Sequence, residues 1–194
     1  MIKNMNKKNN KNNFIKMEKL NAKLNLLNLV KSRRSTRQFT GETIPDSIIE
    51  QIIEIASYSP SSWGGHPVEF IIIRDKNTLT KLGDCKAMGD GPLRHSDVAI
   101  VPIIDSTNLE LWKEDASVAS TYILLAAEYF GIGACWIHMD GRDGKNKSSS
   151  EEIKDLLGIP SKYKILNCVS LGIKKKNQKI KELDYKKKIH YEKY

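Results

Sequence analysis

The chain has 194 residues and a mass of 22.0 kDa, enough for one domain with a substantial core and too short for two ordinary ones. Its formal charge of +9 belongs to the ends: residues 1–16 carry five lysines and no acid, residues 174–194 nine lysines against three acids, and the body between stands at −2. A nucleic-acid or anionic-surface binding protein using those two basic ends is therefore an alternative supported by charge alone, since aromatics are sparse at both ends and the middle is slightly acidic.

Residues 1–13, MIKNMNKKNNKNN, are almost wholly Asn and Lys. Such a composition buries too little apolar surface to offset the entropy of ordering, so residues 1–16 are expected to be a disordered extension and 17–194 the folded domain. Behind the basic start there is no apolar run of about 7 to 15 residues, as a signal peptide requires, and no stretch approaches the roughly 20 apolar residues of a membrane span. Cys85, Cys135 and Cys168 are odd in number and form no Cys-x-x-Cys pair, as expected of reduced thiols. A cytoplasmic protein is the expectation.

From Met17 to Ser32 the leucines at 20, 24 and 27, with Leu26, Leu29 and Val30, recur at helical spacing and predict a helix with a broad apolar face. It runs into Arg33-Arg34-Ser35-Thr36-Arg37-Gln38-Phe39, three guanidinium groups and a hydroxyl within five residues. Guanidinium forks match phosphate oxygens and keep their charge; equally, basic residues collect at helix C-termini because they complement the dipole. Asp46 or Ser47 can cap a second helix through Tyr58, with Ile48, Ile49, Ile52, Ile53, Ile55 and Ala56 covering more than half its circumference. The turn-forming run Ser59-Pro60-Ser61-Ser62-Trp63-Gly64-Gly65-His66-Pro67 follows.

Strands are predicted at 68–74, 98–104, 134–139 and 165–173, where β-branched and aromatic residues concentrate. Helices are predicted over about 78–86 and 114–129, and a further one up to Gly158 with Ser149 and Glu152 at capping-box spacing; a loop runs through Gly89, Gly91 and Pro92. Two helices precede the first strand, so strict βαβ alternation fails and the fold class is α+β with helices on both faces of the sheet.

Familiar catalytic patterns are absent from the sequence. Gly131-Ile132-Gly133 leaves a helix and enters a strand, the reverse of a dinucleotide fingerprint. Cys135 and His138 lie three apart on a strand and so point to opposite faces, which argues against a shared metal. Asp115 and Glu128 read as solvated helix residues rather than a catalytic pair. With no nucleophile or base standing out, an enzyme built on this chain calls for a cofactor.

Four pieces in order, RRSTRQF, ASYSPSSWGGHPVEF, WKEDASVASTYILLAAEYFGIGACWI and LGIKKKNQKIKELDYKKKIHYEKY, make the sequence resemble the nitroreductase family of FMN-dependent NAD(P)H oxidoreductases over about residues 30 to 194. The resemblance implies a three-layer sandwich with a central mixed sheet, a homodimer with FMN at its interface, and electron transfer from NADH or NADPH to a nitroaromatic, quinone or similar acceptor in two steps at one pocket. Flavin handling or reductive dehalogenation are alternatives within the same fold. It further implies that Arg33, Arg34, Ser35 and Arg37 meet the phosphate and pyrimidine edge of FMN. Pro60, Ser61, Ser62, Gly64 and His66 would cover the flavin from the second subunit. Gly133, Ala134, Cys135 and Trp136 would run along the ring, with small residues at 133 and 134 permitting close approach, and Lys179 and Lys181 would reach the phosphate from the C-terminus. The family loop usually reads Ser-x-Asn-x-Gln-Pro-Trp, whereas Gly64, His66 and Val68 stand here in place of the Asn, Gln and Trp; Tyr122 stands where an amide is frequent. His66 could replace the glutamine's hydrogen bond, donate a proton to the acceptor, or be a loop histidine satisfied by backbone. No metal is implied.

Deleting residues 1–16 is expected to leave flavin content and turnover unchanged, as measured by absorbance and steady-state rates; a collapse of either would show that the extension belongs to the site.

Overall fold

The apolar run beginning at Val98 is buried on both faces, and the other elements are layered around it. The computed structural model describes residues 26–89 and 91–194; the expected extension and residues 17–25 of the expected first helix lie outside these. The chain forms helices α1 (Leu26–Ser32), α2 (Asp46–Ser57), α3 (Lys76–Asp84), α4 (Gly91–Arg94), α5 (Trp112–Tyr129) and α6 (Ser149–Leu157). Its strands are β1 (Val68–Ile73), β2 (Val98–Asp105), β3 (Ile132–His138), β4 (Tyr163–Lys164) and β5 (Asn167–Ile173).

The sheet order is β1-β2-β5-β3, with β4 on the far end of β2. Every pair of named strands is antiparallel; the parallel element is an isolated bridge from Ser35 to Ala134. Alternation along β2 makes three layers. Val98 and Ile100 join Ile48, Ile49 and Ile52 of α2 and Ile123, Ala126 and Ala127 of α5 on one face. Ala99, Val101 and Ile103 join Leu79 and Leu82 of α3, Leu93 of α4 and Ile153 of α6 on the other. Because both faces are covered, β2 reads as a continuous apolar run rather than an alternating one. The architecture is the expected α+β sandwich.

Several local expectations are corrected. The strand expected over 165–173 begins at Asn167, with β4 set off before it: Lys164 faces Ile104 but Val169 faces Ile100, one residue more on this side than on β2. The extra residue is a bulge, and the Leu166 carbonyl accepts hydrogen bonds from Met139 N at 2.9 Å and Asp140 N at 3.0 Å. Pro102 lies in the stretch of β2 left without a β4 or β5 partner, where a missing N–H costs no ladder bond. Neither Asp46 nor Ser47 caps α2; Pro45 holds that position, and Asp46 instead pairs with Arg74 at 2.8 Å. Ser148, not Ser149, precedes α6, while the Glu152 carboxylate turns back to accept from Lys147 N at 3.2 Å. The expected loop through Gly91 and Pro92 contains the single turn α4. In α2, Ile53 and Ile55 are only partly buried.

The segment after α1 lies flat against the sheet edge. Thr36 N donates to Ala134 O at 2.8 Å, Thr40 N to Ile173 O at 3.0 Å, and Lys175 N to Gln38 O at 3.2 Å. Two glycines admit it. A Cβ on Gly133 would come within 2.7 Å of the Thr36 methyl, and one on Gly172 within 2.5 Å of the Phe39 ring. Farther on, buried Asp97 accepts from Ile44 N at 2.8 Å and pairs with Arg74 at 3.0 Å, fixing the approach to α2.

Gly172→Ala is expected to cost about 1–3 kcal/mol, the usual range for overpacking, and most of that loss should vanish in a Phe39→Ala background. Urea unfolding of the four proteins in a double-mutant cycle measures the coupling; equal penalties in both backgrounds would disprove the contact.

Candidate functional site

The arginine stretch starts where α1 stops, with Arg33 N donating to Leu29 O at 3.1 Å. Buried Thr36 anchors it over Gly133, which leaves Arg33 half-buried and Arg37 exposed on either side. Both guanidinium charges act on the Cys135 thiol: burial pushes its pKa up, and Arg37 and then Arg33 pull it back. Arg33, Arg37 and the Gly133–Trp136 segment, far apart in sequence, are therefore brought together.

Arg34 is joined to the C-terminal tail. Its Nη1 donates to Arg33 O at 2.7 Å, Nε to Lys179 O at 3.3 Å and Nη2 to Lys181 O at 3.5 Å. A guanidinium bonded to three backbone carbonyls acts as a tether. With Gln178 Nε2 donating to Ser35 O at 3.1 Å and Lys31 meeting Glu182 at 3.5 Å, it straps the C-terminal tail to the arginine stretch. Between strap and stretch is a cleft of about 570 Å³ lined by Thr36, Arg37, Gln38, Lys176–Gln178 and Lys179. Arg37, Lys176 and Lys179 face one another there with no acid among the lining residues. Lys176 was not expected; in sequence it sits in a run of three lysines that reads as solvated tail charge. The Lys179 and Lys181 side chains are both exposed.

The small size of Gly133 admits Thr36 and Lys174, whose side chains fill the space where its Cβ would be. Ala134 and Cys135 are buried and Trp136 is half-buried. Beyond the Ser35 bridge to Ala134, the outer edge of β3 has no strand beside it among the described residues.

The Pro60–His66 loop is built from other parts of the fold. Asp115, in the first turn of α5, accepts from Ser62 N at 2.9 Å and Ser62 Oγ at 3.0 Å. Ser61 Oγ accepts from His66 N at 2.8 Å. Trp63, Gly64 and His66 all have left-handed backbone, with φ of 55°, 66° and 46°. Gly64 has open space around its absent side chain, so its left-handed φ, not crowding, explains the glycine. Pro60 and the His66 imidazole are exposed, and the imidazole has no hydrogen-bond partner among the described residues. Asp115 is only 4% exposed and its Oδ2 has no partner, which overturns its reading as a solvated residue. Glu128 is likewise mostly buried, in an ion pair with Lys174 at 2.6 Å. A cavity of about 790 Å³ lies beside this loop, bounded by Ser62, Trp63, residues 106–111, Trp112 and Lys164.

No hydrogen bond or ion pair joins residues 33–37 to 60–66 among the described residues, so the expected site occurs as two separate halves. The remaining thiols are resting groups: burial pushes Cys85 up to about 11 and Cys168 up as well. His138, stacked on Trp136 at 12° and 6.4 Å, has its pKa lowered chiefly by burial, with Arg142 next.

This combination defines an α+β protein with a cleft of fixed positive charge and no strong nucleophile of its own among the described residues. The chain belongs to the nitroreductase family, whose model matches residues 30–89 and 93–173. It is 33% identical over 175 residues, covering 87% of this chain and 98% of the other, to an Archaeoglobus fulgidus protein provisionally named NADH dehydrogenase/NAD(P)H nitroreductase. The structure of an FMN-dependent nitroreductase from Clostridium difficile R20291 superposes with a TM-score of 0.83 at 34% identity, covering 87% of this chain and 100% of that one. A Vibrio harveyi NADPH-flavin oxidoreductase is 25% identical over 171 residues, 81% of this chain and 69% of its own.

Arg34→Ala is expected to free the tail without unfolding the core, so that limited proteolysis cuts within residues 175–194 several-fold faster while the core fragment persists. Unchanged tail cleavage, read by mass spectrometry, would show that the tether does not hold it.

Proposed function

We propose that this protein is an FMN-dependent oxidoreductase that carries electrons from NADH or NADPH to a small oxidised acceptor, a nitroaromatic or a quinone. The observation that supports this most is the convergence of Arg37, Lys176 and Lys179 around one cleft, with Arg33 on the same stretch, in a member of the nitroreductase family. FMN, when bound, supplies the two-electron relay between donor and acceptor. The chain supplies what such a group needs. Arg33, Arg37, Lys179 and Lys181 provide fixed charge for a phosphate dianion and for the negative charge a flavin gains on reduction. Ser35 adds a hydroxyl, and the open edge of β3 from Cys135 through Trp136 offers backbone donors and acceptors to a ring. Arg34 contributes indirectly, by holding Lys179 and Lys181 in place.

The two halves of the site belong together across a two-fold axis: Pro60, Ser61, Ser62, Gly64 and His66 of one protomer cover the cleft of the other. The exposed apolar surface supports a homodimer. Leu26 and Leu27 of α1 are 72% and 63% exposed, and Ile180 and Leu183 of the tail 56% and 62%, more than a small monomer ordinarily leaves to water. In this arrangement the His66 imidazole is free to donate a proton to the acceptor. One pocket serves donor and acceptor in turn, consistent with a chain whose Gly131-Ile132-Gly133 enters a strand rather than a helix. Residues 17–194 act as one FMN-binding domain. Among the described residues no helix is long and apolar enough to cross a membrane, which fits the proposed cytoplasmic location.

The purified protein should be yellow. Arg33→Ala should remain folded and bind FMN roughly 10- to 150-fold more weakly, the equivalent of losing a charge-assisted contact of about 1.5–3 kcal/mol. Flavin absorbance and fluorescence titration measure both; wild-type FMN affinity in Arg33→Ala would remove that arginine from the site.

A further inference from the structure

Trp63 is fully exposed to solvent, whereas Trp112 and Trp136 are half-buried. Its backbone is left-handed at φ 55° and ψ 13°, a conformation that costs a bulky L-residue energy and persists only where surrounding contacts impose it. Those contacts are visible. The Asp115 carboxylate accepts from both Ser62 N and Ser62 Oγ, Gly64 N donates to Ser61 O at 3.1 Å, and His66 N donates to Ser61 Oγ. Asp115 is buried with its second oxygen unpartnered, an arrangement that core packing alone would not favour. The loop so held places the Trp63 indole at the rim of the cavity of about 790 Å³ that Leu111 and Trp112 also line. A volume in this range suits a small organic ligand, and an indole face free of neighbours within its own protomer suits a flat one.

We infer that Trp63 is the aromatic platform on which a flat, uncharged acceptor such as a quinone stacks, and that Asp115 is the positioning residue that sets its orientation through Ser62. The inference rests on the oxidoreductase reading for the identity of the ligand as an acceptor, but not for the existence of the platform. Its logic is steric and electrostatic. Without the Asp115 bonds only contacts internal to the loop, from Gly64 N and His66 N to Ser61, hold Trp63, and the indole would swing away from the cavity mouth.

The test is binding of menadione to the oxidised, full-length protein by titration calorimetry, beside steady-state kinetics with menadione and with ferricyanide, an acceptor that needs no stacking. Trp63→Leu should weaken menadione binding about tenfold and raise its KM several-fold more than the KM for ferricyanide. Asp115→Ala should show the same selective pattern, and Asp115→Asn, which keeps an acceptor oxygen toward Ser62, should recover most of the affinity. If Asp115→Ala does not fold, Ser62→Ala removes the Oγ bond alone and should weaken menadione binding about threefold. Wild-type menadione affinity in Trp63→Leu overturns the platform. Wild-type affinity in Asp115→Ala, or in Ser62→Ala where the former does not fold, overturns the positioning role. An equal rise of both KM values reduces Asp115 to a structural residue. A wild-type protein that binds menadione but passes it no electrons from NADH or NADPH would refute the oxidoreductase reading while leaving the platform intact.

Discussion

Close approach of the segment 35–40 to the sheet is the constraint on which most of this structure depends. Only the missing side chains of Gly133 and Gly172 allow Thr36 and Phe39 to lie directly on β3 and β5. Once seated, the segment adds a parallel bridge to an otherwise antiparallel sheet and carries Arg33 and Arg37 on either side of it. It also presents the Ser35 carbonyl and the Arg34 guanidinium, which capture the tail. A single packing fit thus positions charges drawn from two distant parts of the chain.

Two buried carboxylates perform the corresponding task elsewhere. Asp97 ties the start of α2 to Arg74 after β1, and Asp115 ties the loop before β1 to the start of α5. A buried carboxylate is tolerated where donors surround it. Asp97 has Ile44 N, Arg74 and, at 3.8 Å, Lys76. Asp115 has only Ser62 for one oxygen, besides the favourable end of the α5 dipole. That imbalance is the reason to connect Asp115 with the presentation of Trp63 rather than with stability alone.

The layers of the fold were legible in the sequence because burial periodicity is a local property. Val98–Ile104 had to be covered on both faces, and the isoleucines of α2 had to face a core. Boundaries were less legible where a tertiary contact competed with a local signal. Glu152 had capping-box spacing but turned to the Lys147 amide, and the strand expected from Ile165 was broken by the bulge that serves Met139 and Asp140. Asp115 read as solvated because nothing in its own helix predicts that a loop more than fifty residues earlier would donate to it.

The sequence by itself determined the class of fold, the resemblance to the nitroreductase family, and the fact that guanidinium groups follow the first helix, since residue type and spacing carry that information. Only the tertiary structure decided which of those groups stand free. Arg34 was indistinguishable from Arg33 and Arg37 as a string of letters, and it became a tether because the tail carbonyls of Lys179 and Lys181 come within its reach. Lys176 joined the cleft for the same reason, having been one lysine among many. Partner choice for a long, flexible cation depends on which acceptors lie within a few ångströms, and chain folding, not local pattern, sets those distances.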